Sequence, residues 1–219
     1  MNRAPMATPS TAVKALFVAY AIVTVVNLVS VGADVTWLEW ASKPLLMPLL
    51  LIVILLSGRS LPGAALMAVG LVCATVADVA LLVPGTIAFL IGMGFFLVMQ
   101  LSYITVFVRL GALGGLRSKP WAPIVFGVFW VAFLVAFWAD FAELAVPIAV
   151  YSLALTTMAT ISVGLSARAG IGGTLFLVSD SMIALGIVDL DFTGRNIAIM
   201  TTYIAAQYLL VTGWRRATS

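Results

Sequence analysis

The sequence predicts an all-α protein: a polytopic membrane bundle of eight transmembrane helices with both termini on the cytoplasmic side. Three observations predict it. Apolar residues make up 63% of the chain and charged residues 9%. Soluble domains run at about 45–50% apolar and about 25% charged, so too few polar groups exist here to cover a water-facing globule. The apolar residues form continuous runs instead of alternating ones, which excludes a membrane β-barrel. The charges that separate these runs sort by sign from one side to the other.

A helix needs roughly 20 residues to cross about 30 Å of hydrocarbon. Runs of this kind lie at approximately 14–32, 43–57, 61–83, 86–108, 120–138, 142–165, 172–188 and 196–214. Short Gly, Pro or charged breaks separate them. The first run has a signal-peptide alternative, because Val31-Gly32-Ala33 loosely fits a small-residue cleavage site. It exceeds the usual h-region of about 7–15 residues, so it counts as a span. The second is short and opens at Lys43-Pro44, since proline is tolerated in a first helical turn. The third carries Asp78. The fourth carries Gly92-Met93-Gly94, which permits close helix approach, then Gln100 and Tyr103 in its cytoplasmic half. The fifth contains Trp130. The sixth holds Tyr151 about two turns in. The seventh pairs Gly172-Gly173 with Asp180, flanked by Ser179 and Ser181. The eighth descends through Asn196, Thr201, Thr202, Tyr203 and Gln207. The basic, Gly-rich stretch 110–119 is the longest internal loop and reads as a connector. No soluble domain, linker or low-complexity segment interrupts residues 1–219, which read as a single integral membrane domain.

Eight spans put both termini on one side, and the loop charges test that count. The terminal side carries Arg3, Lys14, Arg59, Arg109, Arg117, Lys119, Arg168, Arg215 and Arg216, with no acid. The other side carries Asp34, Glu39, Lys43, Asp140, Glu143, Asp189, Asp191 and Arg195. The positive-inside rule then makes the termini cytoplasmic, in a cell inner membrane. Trp37, Trp40, Trp121, Trp138 and Trp214 fall near span ends, where indoles favour the interface; Trp130 is the exception. There is no basic block, so a nucleic-acid partner is excluded.

The chain has no His and one Cys. This excludes His-based catalysis, thiolate zinc sites and intramolecular disulfides, and the sequence calls for no metal or cofactor. Cys73 reads as a small packing residue. Two acids remain inside the hydrocarbon: Asp78 and Asp180. A central Asp costs about 2.5–3.5 kcal/mol on insertion scales, so function is the default reading. A polar knot that only fixes helix contacts is the competing one. Counting from the outer span ends, Asp78 lies about 8 Å deep and Asp180 about 12 Å deep. Tyr203 and Gln207 are spaced i,i+4, and Gln100 and Tyr103 i,i+3, so each pair shares a face. Lys43, turned inward, could pair with one carboxylate. The two acids would then differ in proton affinity and supply one acid and one base. Each Asp sits in the third helix of its four-helix half, which fits a duplicated fold with parallel repeats.

In order along the chain, several segments resemble the YhhN family of integral membrane proteins, which includes the lysoplasmalogenases. They are Lys43-Pro44-Leu45-Leu46-Met47-Pro48, Ala77-Asp78-Val79-Ala80-Leu81-Leu82, and Phe89-Leu90-Ile91-Gly92 running to Tyr103. Two more follow: Leu175-Phe176-Leu177-Val178-Ser179-Asp180-Ser181 and Thr202-Tyr203-Ile204-Ala205-Ala206-Gln207. The resemblance implies an eight-span fold. It also implies hydrolysis of the vinyl ether of a lysophospholipid, to a fatty aldehyde and a glycerophospho-base. The polar motif positions carried over are Lys43, Asp78, Tyr103, Tyr151, Ser179, Asp180, Tyr203 and Gln207. Gln100 stands where family members commonly carry His.

Vinyl ether hydrolysis needs an acid to protonate the distal alkene carbon, negative charge near the resulting oxocarbenium, and a base for water. Two carboxylates meet these needs, as in glycoside hydrolysis. Asp78 and Asp180 are therefore the expected acid–base pair. Lys43, Gln100, Tyr103, Tyr151, Ser179, Tyr203 and Gln207 are the expected substrate-binding groups. The alternative is a proton-coupled transporter or lipid-handling permease, which paired membrane acids would serve equally. Oligomeric state is not legible, because lipid-facing and partner-facing apolar surfaces look alike.

Overall fold

The computed structural model describes residues 10–218. Arg3, counted above among the cytoplasmic cations, lies outside the described residues. In chain order the helices are α1 (Thr11–Gly32), α2 (Thr36–Ser57), α3 (Ala64–Ala80), α4 (Thr86–Arg109), the short α5 (Ala112–Leu116), α6 (Trp121–Phe137), α7 (Ala145–Leu165), α8 (Ala167–Ile187) and α9 (Arg195–Thr218). A 3₁₀ turn, Ala142–Leu144, leads into α7. No strand occurs among the described residues. Among the described residues, six helices are long and apolar enough to cross a membrane: α1, α2, α4, α7 with its leading turn, α8 and α9. α3 and α6 are also apolar but have 17 residues each, about 26 Å of helix at 1.5 Å per residue. The fold is that of a multi-pass membrane protein.

Two boundaries differ from the sequence reading in ways that matter for the site. α2 starts at Thr36, not at Lys43, and runs through Pro44 and Pro48. Lys43 therefore sits about two turns inside a helix instead of opening one. Prolines are tolerated within membrane helices. Just before Pro44, Ser42 Oγ donates to the Leu38 carbonyl at 2.7 Å, and Asn27 Nδ2 donates to Ser42 Oγ at 3.0 Å, which ties this part of α2 to α1. α3 ends at Ala80, followed by the turn through Val83. Asp78 is thus two residues from the helix end, shallower than expected. The 110–119 loop is also more than a connector. Helix α5 packs against α7, and a Cβ on Gly115 would meet the Gly164 carbonyl oxygen at 2.0 Å.

Seven helices pack in a closed order, α1–α2–α3–α4–α7–α8–α9 and back to α1, while α6 leans on α7 from outside. The halves repeat their pairings. α1 packs on α2, α2 on α3 and α3 on α4; likewise α6 packs on α7, α7 on α8 and α8 on α9. Polarity is inside-out relative to a soluble domain. Val18, Ile22, Val25 and Val29 form an exposed stripe along α1, as Ile124, Val128, Val131 and Val135 do along α6. Asn27, Lys43, Asp78, Gln100 and Gln207 are buried. Trp37, Trp40, Trp121 and Trp138 are exposed at helix ends, as interfacial indoles should be. Trp214 is not. It is fully buried, and its indole N–H donates to the Pro62 carbonyl at 3.0 Å, tying α9 to the α2–α3 turn.

Glycines set the closest approaches. A Cβ on Gly172 would lie 2.9 Å from Leu210 N of α9, and one on Gly173 would lie 2.8 Å from Ala159 Cα of α7. The pair therefore seats α8 against both neighbours. Gly92 serves α3–α4 in the same way, with the Leu81 side chain 2.9 Å from its notional Cβ, whereas Gly94 has nothing within 4 Å. Gly173→Val is expected to lower thermal stability in detergent by roughly 1–3 kcal/mol, the usual cost of overpacking. Gly94→Ala is expected to be neutral or slightly stabilising in the same melts.

Candidate functional site

Each intramembrane carboxylate is met by a tyrosine from another helix. On one side of the ring, Tyr203 Oη of α9 donates to Asp78 Oδ2 of α3 at 2.7 Å. Both side chains are buried, Asp78 at 2% exposure. On the other side, Tyr151 Oη of α7 donates to Asp180 Oδ2 of α8. These two are half-buried. An aromatic trio stands beside Tyr203: Phe96, Phe176 and Tyr203 meet edge to face at centroid distances of 5.6–5.8 Å.

Around these pairs the other sequence-predicted residues divide. Gln207 lies one turn beyond Tyr203 on the same face of α9. Its Oε1 accepts from Tyr103 Oη at 3.2 Å, and its Nε2 contacts Met99 Sδ at 3.1 Å, so it bridges α9 to α4. Ser179 is buried, and its Oγ donates to the Ile199 carbonyl at 3.0 Å. This bond ties α8 to α9. Gln100 is fully buried, and neither amide atom has a hydrogen-bond partner among the described residues. Lys43 is 8% exposed, with Glu39 at 4.0 Å as its ion-pair neighbour.

Two hollows reach this region. The first is an apolar cavity of about 680 Å³ empty space, its open mouth included, between α4, α6, α7 and α8. Phe89, Met93, Phe96, Phe129, Phe133, Leu155 and Leu177 are among its walls, and Asp180, Tyr151, Ser152, Thr156 and Ser181 supply its few polar groups. Trp130 also lines it, with its indole N–H donating to Ser152 Oγ at 3.0 Å across the α6–α7 seam. The second is a polar vestibule of about 990 Å³, counted the same way, lined by Asp34, Glu39, Lys43, Arg195 and Asn196. Leu81, Phe89 and Ile183 border both, so the two hollows share a wall. Asp78, Tyr103, Ser179, Tyr203, Gln207 and Gln100 line neither.

Sequence reasoning missed Trp130, Thr156, Ser181 and Arg195 as lining residues. Trp130 had a signal, being the one indole far from a span end. Arg195 had none, because a loop cation that faces a hollow reads the same as one that faces water. Together the vestibule, cavity and carboxylate–tyrosine pairs describe a multi-pass helical membrane protein with two carboxylates held inside the bundle. Residues 38–214 match the YhhN family, and the chain belongs to that family. Neither the curated proteins nor the solved structures contain a match to the chain.

The Asp78–Tyr203 bond should appear as coupling. A double-mutant cycle with Asp78→Asn and Tyr203→Phe, read by thermal unfolding in detergent, is expected to give an interaction of about 0.5–3 kcal/mol. Additive effects would mean that the two side chains do not depend on each other.

Proposed function

We propose that this protein is a membrane-embedded hydrolase of the lysoplasmalogenase kind. It would cleave the vinyl ether of a lysophospholipid to a fatty aldehyde and a glycerophospho-base. The observation that carries this reading is the shared wall at Leu81, Phe89 and Ile183 between a charged vestibule and an apolar cavity bordered by Asp180. A single-chain amphiphile has that same division. Its chain would lie among Phe129, Phe133 and Leu155, its head beside Lys43, and the bond between them near the Asp180 carboxyl.

Asp180 is the carboxyl that borders the cavity, so it takes the acid role in this reading. It donates a proton to the distal alkene carbon, and the adjacent carbon becomes an oxocarbenium with the ether oxygen. The carboxylate left behind stabilises that cation. Water then adds to the oxocarbenium carbon and returns a proton to the Asp180 carboxylate. The hemiacetal then collapses: its hydroxyl gives up a proton as the carbonyl forms, the bond to the glycerol oxygen breaks, and that oxygen takes a proton from the Asp180 carboxyl, so no net proton is gained or lost. One water is consumed, and an aldehyde and an alcohol are formed. Tyr151 holds the Asp180 carboxyl in place through Oδ2. Asp78 acts as the second carboxylate by its charge, held by Tyr203. Cavities of this kind, apolar with a few convergent polar groups, are the usual form of small-molecule sites.

Purified protein given a lysoplasmalogen should release aldehyde; a transporter or permease would release none. Asp180→Asn is expected to lower kcat by about 10²–10⁴, the range for a general acid. Asp78→Asn should lower it less and shift the pH profile. The composition, with no His and one Cys, predicts that EDTA leaves the rate unchanged.

The eight-span count and the inner-membrane orientation belong to the same proposal. α3 and α6, at 17 residues each, fall at the short end of the spanning range of about 17–25 residues. With both crossing, the C-terminus is cytoplasmic. A C-terminal fusion to a phosphatase that is active only outside the cytoplasm should then be silent, and strong activity would reverse the orientation.

A further inference from the structure

The vestibule carries two cations and two carboxylates on its lining: Lys43 and Arg195, Glu39 and Asp34. We propose that it is a subsite for a phosphoester head bearing a primary amine, with Lys43 and Arg195 taking the phosphate and Glu39 and Asp34 taking the ammonium. This rests on the hydrolase reading of the adjoining cavity and names the head group that the reading leaves open.

Both cations can exchange partners. Lys43 is 8% exposed, and its acidic neighbour Glu39 stands 4.0 Å away, at the outer limit of an ion pair. An ammonium so far removed from water, and so loosely paired, is poised for a closer anion. Arg195 is 20% exposed, its Nε lies 2.9 Å from Asp191 Oδ1, and its Nη1 donates to the Met182 carbonyl at 3.5 Å, the outer limit of a hydrogen bond; the Asp191 carboxylate is 70% exposed. Neither partner is a close, desolvated anion, so the guanidinium can take a phosphate in their place. Arg195 is also the first residue of α9, and the N-terminal end of a helix dipole favours an anion.

The acids point to the second half of the head. Asp34 is exposed in the α1–α2 turn with φ at 53° and makes no ion pair among the described residues. Its carboxylate is therefore open to a ligand. With Glu39 it balances the two cations, so the lining favours a zwitterion over a simple anion. The choice of amine follows from how amines are recognised. Quaternary ammonium groups are held by aromatic faces, and the vestibule has one aromatic side chain, Phe89, which it shares with the cavity. Carboxylates instead accept the N–H bonds that a primary ammonium offers and a quaternary one lacks. The vestibule thus selects an ethanolamine-type head over a choline-type head.

The test measures equilibrium binding of three soluble probes to the full chain in nanodiscs: glycerophosphoethanolamine, glycerophosphocholine and inorganic phosphate. Glycerophosphoethanolamine is expected to bind about tenfold or more tightly than either of the others, the scale of a charge-assisted hydrogen bond. Arg195→Gln should weaken both phosphodiesters, whereas Asp34→Asn should weaken glycerophosphoethanolamine alone and erase the preference. Asp34 is exposed, so its variant tests the proposal even where Arg195→Gln fails to fold. Equal binding of the two phosphodiesters overturns the proposal, and so does phosphate binding as tightly as glycerophosphoethanolamine, which would mark a plain anion site. Selective binding without aldehyde release supports the head-group site and overturns the hydrolase. Aldehyde release with no preference between heads overturns the head-group site alone.

Discussion

A carboxyl group inside hydrocarbon must be hydrogen-bonded by the protein, because no lipid atom will do it. In this fold that requirement is met twice by tyrosine hydroxyls, and much of the architecture follows from it. Tyr203 can reach Asp78 only if α9 packs within reach of α3, and Tyr151 can reach Asp180 only if α7 packs on α8. Gly173 permits the second approach by removing the side-chain layer between α8 and α7, and Gly172 does the same between α8 and α9. Ser179 adds a direct bond from α8 to the α9 backbone. The polar contacts thus fix which helices meet, in a medium where apolar burial alone discriminates poorly between partners.

The ring has one weakly held member. α6 packs on α7 outside the closed order, buries Ala122, Phe126 and Leu134, and presents Trp130 to Ser152 across the seam. Because Phe129, Trp130 and Phe133 also wall the apolar cavity, the least-packed long helix is the one that stands between the cavity and the surrounding lipid. The vestibule, by contrast, is built where the α1–α2 turn and the start of α9 come together. One hollow is therefore walled by apolar side chains and the other by the charged groups at one end of the bundle. The residues they share, Leu81, Phe89 and Ile183, mark the boundary where a bond between a polar head and an apolar chain would sit.

Much of this was legible in the sequence because charge is so scarce. Subtracting loop charges isolated Asp78 and Asp180, and helical spacing put Tyr203 and Gln207 on one face. The pairing itself was not legible, because hydropathy contains no information on which helix neighbours which. The same blindness affected Ser179, which flanks Asp180 in sequence yet bonds to the Ile199 carbonyl. It affected Trp214 too, whose position near a span end suggested the interface while its N–H is used by Pro62. Lys43-Pro44 looks like a first helical turn, so the part of α2 before it reads as loop; the Asn27–Ser42 contact that holds that part on α1 lies between two helices and leaves no local pattern. Arg195 and Asp34 enter the sequence reading only as loop charges of the non-terminal side, since a loop gives no sign of the hollow it borders.

The central claim is that one amphiphile spans both hollows with its ether bond at Asp180. The most direct measurement is a structure of the protein with a saturated-ether lysolipid, which has the substrate's shape but lacks the alkene that would be protonated. The account predicts the chain among Phe129, Phe133 and Leu155, the phosphate beside Lys43, and the ether carbon within about 3–3.5 Å of the Asp180 carboxyl, the spacing of reacting atoms. A lipid bound with its head away from the vestibule, or with its ether bond remote from Asp180, would contradict it.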